Sequence, residues 1–172
     1  MIFLLKRFFL LIFIYFLLII KIHAIETRAY SAVILDSNSN IILFEKNSDV
    51  KQGPASMSKL MLTYIVFERL QNNTLSLDQE FLVSKKAWKY GGSKMFVNAG
   101  DMVSVNDLLK GIIIQSGNDA CIVLAEGLSG SEENMVEEMN DKSIELGLTG
   151  SNFTNVTGWP HQDHYMTVRD IA

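Results

Sequence analysis

With a single cysteine, Cys121, the 172-residue chain can close no disulfide within itself. That cysteine stands in Asn118-Asp119-Ala120-Cys121-Ile122-Val123-Leu124, amid core-type residues, and is expected to be a small, inert, buried side chain. Positive charge is scarce as well. The chain carries 15 Lys and Arg against 19 Asp and Glu; removing residues 1–24 takes three cations and no acid, leaving 12 against 19, a net charge of −7. So acidic a chain has no electrostatic footprint for nucleic acid and no polybasic patch for anionic lipid. His161 and His164 stand close together in His161-Gln162-Asp163-His164, but the loop is polar and offers no third ligand at metal-site spacing. Neither a metal nor another cofactor is expected. Internal repeats and low-complexity tracts are also missing.

One long hydrophobic run is present, at the start. Lys6 and Arg7 precede an unbroken apolar stretch from Phe8 to Ile20, and Ile22-His23-Ala24 places a small residue at a plausible cleavage point. The run falls short of the roughly 20 residues that cross a bilayer as a helix. Residues 1–24 are therefore expected to be a cleaved signal peptide, which makes the rest an exported, periplasmic or cell-envelope protein. An uncleaved, tilted anchor that enlists Ile2 to Leu5 is the alternative.

The remaining residues, 25–172, suit one ordinary domain. Ala29 to Leu35 and Ile41 to Phe44 have strand composition, and Asp36-Ser37-Asn38-Ser39-Asn40 between them is a turn cluster, so the pair predicts an antiparallel hairpin. No later stretch offers a comparable strand. Ser56 to Leu70 is apolar on nearly every face and predicts a buried helix. Further helices are expected over 104–115 and 119–128, with Ser116-Gly117-Asn118 as the bend between them. Another starts at Ser131, its Met135, Met139 and Ile144 near one stripe amid glutamates, and ends at Gly147 and Gly150. Thr167-Val168-Arg169-Asp170 has the form of a capping box, yet only Ile171 and Ala172 follow it, which predicts a truncated helix. Asn72-Asn73-Thr74, Asn152-Phe153-Thr154 and Asn155-Val156-Thr157 match the glycosylation pattern but are read as turn residues.

The chemistry lies in two short motifs 60 positions apart, Ser56-Met57-Ser58-Lys59 and Ser116-Gly117-Asn118. Side chains at i and i+3 share a helix face about 5–6 Å apart, so the Lys59 amine can reach the Ser56 hydroxyl. The helix start adds partial positive charge and unpaired N–H groups, and the Ser56 amide is a candidate oxyanion donor. Lys59 works as a base only when neutral, a state that desolvation beside an apolar helix favours. Ser116 offers a hydroxyl to relay a proton, and Asn118 an amide to orient Lys59 or a substrate carbonyl. Either motif alone is common: a helix start with a solvated lysine, or a turn between helices. Their joint occurrence and order behind an export signal point to serine acyl transfer with lysine as the base.

The chain resembles the serine D-alanyl-D-alanine carboxypeptidases, the low-molecular-mass penicillin-binding proteins of bacterial cell walls. Gly53-Pro54-Ala55-Ser56-Met57-Ser58-Lys59-Leu60-Met61 is similar to the family's nucleophile segment. Gly92-Ser93-Lys94-Met95-Phe96, Asp107-Leu108-Leu109-Lys110-Gly111, Gln115-Ser116-Gly117-Asn118-Asp119-Ala120, Phe153-Thr154-Asn155 and Thr167-Val168-Arg169-Asp170-Ile171-Ala172 are similar to further landmarks. The resemblance runs over nearly all of residues 29–172. It implies an α+β, β-lactamase/transpeptidase-like fold, a helical region packed on an antiparallel sheet with the site between them. It implies Ser56 as the acylated nucleophile, Lys59 as proton acceptor, and Ser116 with Asn118 completing the centre. The implied substrate is a peptidoglycan stem peptide ending in D-Ala-D-Ala, and β-lactam antibiotics would trap Ser56. The family's Lys-Thr-Gly strand does not occur in these residues, so the expectation is the N-terminal part of the catalytic domain, with the sheet incomplete because the C-terminal strands are missing. Membrane association is then expected only through an uncleaved N-terminus or a missing C-terminal anchor. A related serine β-lactamase, or a non-catalytic peptidoglycan-binding piece, are the other readings.

Overall fold

Short apolar runs on both sides of a polar turn make the first element of the fold. β1 (Ala32–Asp36) pairs antiparallel with β2 (Ile41–Lys46), with the register running from Ala32 opposite Lys46 to Asp36 opposite Ile41 and slipping once between Ile34 and Leu35. Asp36 closes the turn: its carbonyl accepts the Asn40 amide at 2.8 Å, and its carboxylate accepts the Asn38 amide and the Ser39 hydroxyl. These facts come from a computed structural model that describes residues 25–172; the expected signal segment, 1–24, lies outside the described residues. Residues 1–30 and 31–172 are two separate units, and the described part of the first, Ile25–Tyr30, holds no helix or strand.

The hairpin gives way at Pro54 to a 3-10 turn, Ala55–Ser58, which runs directly into α1 (Lys59–Gln71). The regular helix therefore starts at Lys59 rather than at Ser56. α1 is also not buried all round. Met61, Leu62, Ile65 and Val66 enter the core, while Leu60, Tyr64 and Phe67 stay exposed on the opposite face. Its length and apolar content say that it packs; they do not say that both faces have partners.

A second antiparallel pair, β3 (Glu80–Leu82) with β4 (Met102–Ser104), brackets the short helix α2 (Lys85–Lys89). This pair departs from the expectation that no later strand exists. Three residues per strand are too few to show an alternating pattern. Ser104 then caps α3 (Val105–Gln115), its hydroxyl accepting the Asp107 amide at 3.1 Å.

α4 (Asn118–Ser129) is the central element: every residue from Asn118 to Ala125 is buried, Cys121 among them. α5 (Glu132–Glu145), capped by Ser131, lays Met135 and Met139 into the core, buries Glu132 and turns Glu133, Glu137 and Glu145 outward. Ile144, expected on the same stripe, is exposed, because nine residues of helix turn it about 180° away from Met135; the inward place in the last turn is taken by Ser143. The last helix, α6 (Val168–Ile171), starts as expected, with the Thr167 hydroxyl accepting the Asp170 amide. The Asp170 carboxylate does not return to Thr167; it accepts the Gly150 amide and the Ser151 hydroxyl. Arg169 reaches back to Glu45, Ser48 and Asp49 and ties α6 to the end of the hairpin. Among the described residues no helix is long and apolar enough to cross a membrane.

Candidate active site

Lys59 is the hub. Its amine donates to Ser56 Oγ at 2.9 Å and to Ser116 Oγ at 3.1 Å, so the first turn of α1 and the α3–α4 junction meet at one nitrogen. Lys59 is only 4% exposed, whereas Ser56 faces solvent. The three side chains line a cleft of about 600 Å³ whose other walls include Leu60, Ile112 and Ile113.

Burial decides the electrostatics. Desolvation holds the Lys59 pKa below the ordinary lysine value, since an ammonium ion loses hydration there that no carboxylate replaces. Cys121 does not replace it either. Burial pushes its thiol up to about 12, so at neutral pH it is uncharged and offers the amine no counter-ion. A neutral Lys59 has one lone pair and two N–H bonds, which suits it to accept the Ser56 hydroxyl proton while donating to Ser116.

Two of these positions carry backbone strain. Ala55 and Ser116 both lie in the left-handed region, at φ 50° and 53°, which costs a non-glycine residue about 1–2 kcal/mol. Gly117 was the residue expected to make the bend, but its φ is −62°. It is small for another reason: a Cβ there would stand 3.0 Å from Asp119 Oδ1 and 3.1 Å from the Met95 amide.

Asn118 is buried at the start of α4 beside Ser116, but no hydrogen bond joins it to Lys59 among the described residues. Its side-chain amide donates to the Gly91 carbonyl at 2.9 Å and its backbone amide to Ser93. It fixes the 91–93 segment. The neighbouring Asp119, also buried, accepts the amides of Met95 at 2.9 Å and Phe96 at 3.0 Å and so holds the next stretch of that loop.

Comparison with known proteins places the chain in a family. The D-alanyl-D-alanine carboxypeptidase family profile matches residues 20–172. The chain belongs to this family. The D-alanyl-D-alanine carboxypeptidase DacC of Escherichia coli is 41% identical over 155 residues, which cover 87% of this chain and 38% of that protein. DacF of Bacillus subtilis is 40% identical over 145 residues, 84% of this chain and 37% of that one. The chain thus spans under two fifths of the length of these curated relatives. Among solved structures, the carboxypeptidase DacD from Francisella tularensis superposes with a TM-score of 0.86 at 39% identity, over 90% of this chain and 37% of that one. Penicillin binding protein 5 from Haemophilus influenzae gives 0.84 at 36% identity, over 88% and 45%. The helices and small antiparallel sheets of this chain therefore match the corresponding part of the carboxypeptidases' α+β fold.

Other residues of the site escaped the sequence reading. Ser58, inside the nucleophile motif, bonds the ring of His164, and Gly158 packs on the Ala55–Ser56 peptide. Asn155 builds the turn that brings Gly158 there: its Oδ1 accepts the amides of Gly158 at 2.8 Å and Trp159 at 2.9 Å. The Ser58–His164 and Gly158–Ala55 contacts have no local signature, since their partners lie about a hundred positions apart, whereas Asn155 forms the local turn expected of it. The two histidines of the 161–164 loop part company. His161 is exposed beside Asp163, and His164 is buried against Ser58, so they do not share a ligand site.

Proposed function

We propose that this chain carries the nucleophile and base of a serine D-alanyl-D-alanine carboxypeptidase acting on peptidoglycan stem peptides in the bacterial cell envelope. The observation that carries the reading is the buried Lys59 amine bonded at once to Ser56 and Ser116. Neutral Lys59 takes the Ser56 proton as Oγ attacks the penultimate D-Ala carbonyl carbon, and the Ser56 amide receives the developing oxyanion. As the C–N bond breaks, the proton passes from Lys59 through Ser116 to the amine of the departing D-alanine. Water then attacks the Ser56 ester, Lys59 again serving as the base, which frees the shortened peptide and restores the hydroxyl. Asn118 acts indirectly in this scheme, by tying the 91–93 segment to the start of α4 beside Ser116. A β-lactam presents the same acyl group in a ring and leaves Ser56 acylated.

The test is covalent labelling. A fluorescent penicillin is expected to add to the peptide containing Ser56, with the label lost in Ser56→Ala and cut by at least about 100-fold in rate in Lys59→Ala, the scale of a missing general base. Label that survives Ser56→Ala would refute the assignment. A stable adduct supports the carboxypeptidase; rapid turnover of the antibiotic would instead indicate a β-lactamase.

A further inference from the structure

Behind the nucleophile lies a relay that the reaction scheme does not use. The Thr154 amide donates to His164 Nδ1 at 3.3 Å, and the Asn155 side-chain amide approaches the same nitrogen at 3.2 Å. A nitrogen that receives an N–H carries no proton, so the ring hydrogen is on Nε2. Nε2 then donates to Ser58 Oγ at 2.6 Å, and the Ser58 hydroxyl passes its own hydrogen to the Ala55 carbonyl at 3.1 Å. Ala55 is the left-handed residue immediately before Ser56. The same carbonyl is pressed from the other side by Gly158, where an added Cβ would overlap it. The 154–164 loop thus grips the strained peptide that presents the nucleophile, by one hydrogen-bond chain and one steric contact.

We propose that His164 is a positioning residue for Ser56: as the neutral Nε2–H tautomer it holds Ala55 left-handed through Ser58, and on protonation it releases the turn. The imidazolium has a hydrogen on Nδ1, which turns the Thr154 and Asn155 N–H groups from donors to the ring into repelling neighbours and leaves the Thr154 hydroxyl, 3.2 Å away, as the acceptor beside it. His164 is 3% exposed and packs edge-on against Phe153 at 5.8 Å, so a charged ring has no water to turn to. Burial first, and the charge of His161 second, hold its pKa below the ordinary histidine value. The titratable groups around it are His161 and Asp163 on its own loop, Glu132 of α5, which accepts the Val156 amide, and Lys59 next to Ser58 on α1. None of the acids is hydrogen-bonded to the ring.

The proposal rests on the acylation chemistry above, and its test separates the two. Acylation of Ser56 by the fluorescent penicillin is expected to slow about 10- to 100-fold in both Ser58→Ala and His164→Ala, the scale of a misplaced reacting group. The double variant is expected to be no slower than the worse single one, because both break the same chain. In the unmodified protein the logarithm of the rate is expected to fall with slope one as Lys59 protonates and to steepen only on the acid side of the ordinary histidine value of 6.5, where the depressed His164 takes its proton. His164→Gln keeps a donor toward Ser58 and cannot titrate, so it is expected to restore part of the rate and to lose the steeper limb. Amide hydrogen exchange at residues 55–59, divided by the intrinsic exchange rate at each pH, gives a second readout that needs no chemistry: this ratio is expected to rise on acidification in the unmodified protein and to stay flat in His164→Gln. A protein that never acylates refutes the functional reading alone, and the exchange measurement then decides the relay. Exchange or pH slopes that are the same in His164→Gln as in the unmodified protein would overturn it.

Discussion

Lys59 is both the base of the proposed reaction and a liability to folding. Its folded pKa lies below that of the unfolded chain, so between the two values the native state binds fewer protons. Stability therefore rises with pH across that window, is fully recovered only above the ordinary lysine value of 10.5, and is lower at neutral pH than an apolar residue would give. Acylation should move the same way, climbing from neutral pH toward the depressed lysine pKa as the amine loses its proton. Lys59→Met tests both statements. Methionine fills a similar volume without a charge to desolvate, and we expect urea denaturation to show a gain of about 1 kcal/mol together with complete loss of penicillin labelling. A destabilised Lys59→Met protein would mean that the bonds to Ser56 and Ser116 outweigh the desolvation.

At the scale of elements, most of what was legible in the sequence concerned pieces with a local signature. The hairpin around Asp36–Asn40, the caps at Ser104, Ser131 and Thr167, and the i,i+3 pairing of Ser56 with Lys59 all depend on residues within a few positions of each other, and each is found in the structure. What was not legible depends on distant partners. Nothing near Ser58 announces His164, and nothing near Asp119 announces the Met95–Val97 amides that its carboxylate accepts. The left-handed backbone sits at Ser116 rather than Gly117 because close packing, not the turn, reserves the glycine. Asp119 yields a prediction on this scale. Asp119→Asn retains the shape but replaces one acceptor oxygen by a donor facing a backbone N–H, which leaves a buried amide unpaired at about 1–3 kcal/mol. We expect urea unfolding to show that loss, and hydrogen exchange to quicken first at residues 95–97 rather than in α4. Uniform acceleration throughout α4 would show that Asp119 supports the helix more than the loop.

The molecule as a whole has one face whose composition and exposure disagree. Leu60, Tyr64 and Phe67 are spaced i, i+4 and i+7 along α1, each is more than two fifths exposed, and Ile113 and Ile114 of α3 are more exposed still. Ile113 lines the same cleft as Leu60, so apolar surface runs from the mouth of the site along the helix. Isolated apolar residues on a surface are ordinary, but a contiguous stripe of this kind drives association. The protein is therefore expected to bind a hydrophobic dye such as anilinonaphthalene sulfonate in its folded state and to self-associate as concentration rises. In a Tyr64→Lys, Phe67→Lys double variant, dye fluorescence and the weight-average mass at sedimentation equilibrium should both fall. The unfolding free energy from urea denaturation should hold to within about 0.5 kcal/mol, because neither side chain is part of the core. Persistence of dye binding and association in that variant would place the sticky surface elsewhere, with the exposed hairpin residues Ile41 and Leu43 the next to alter.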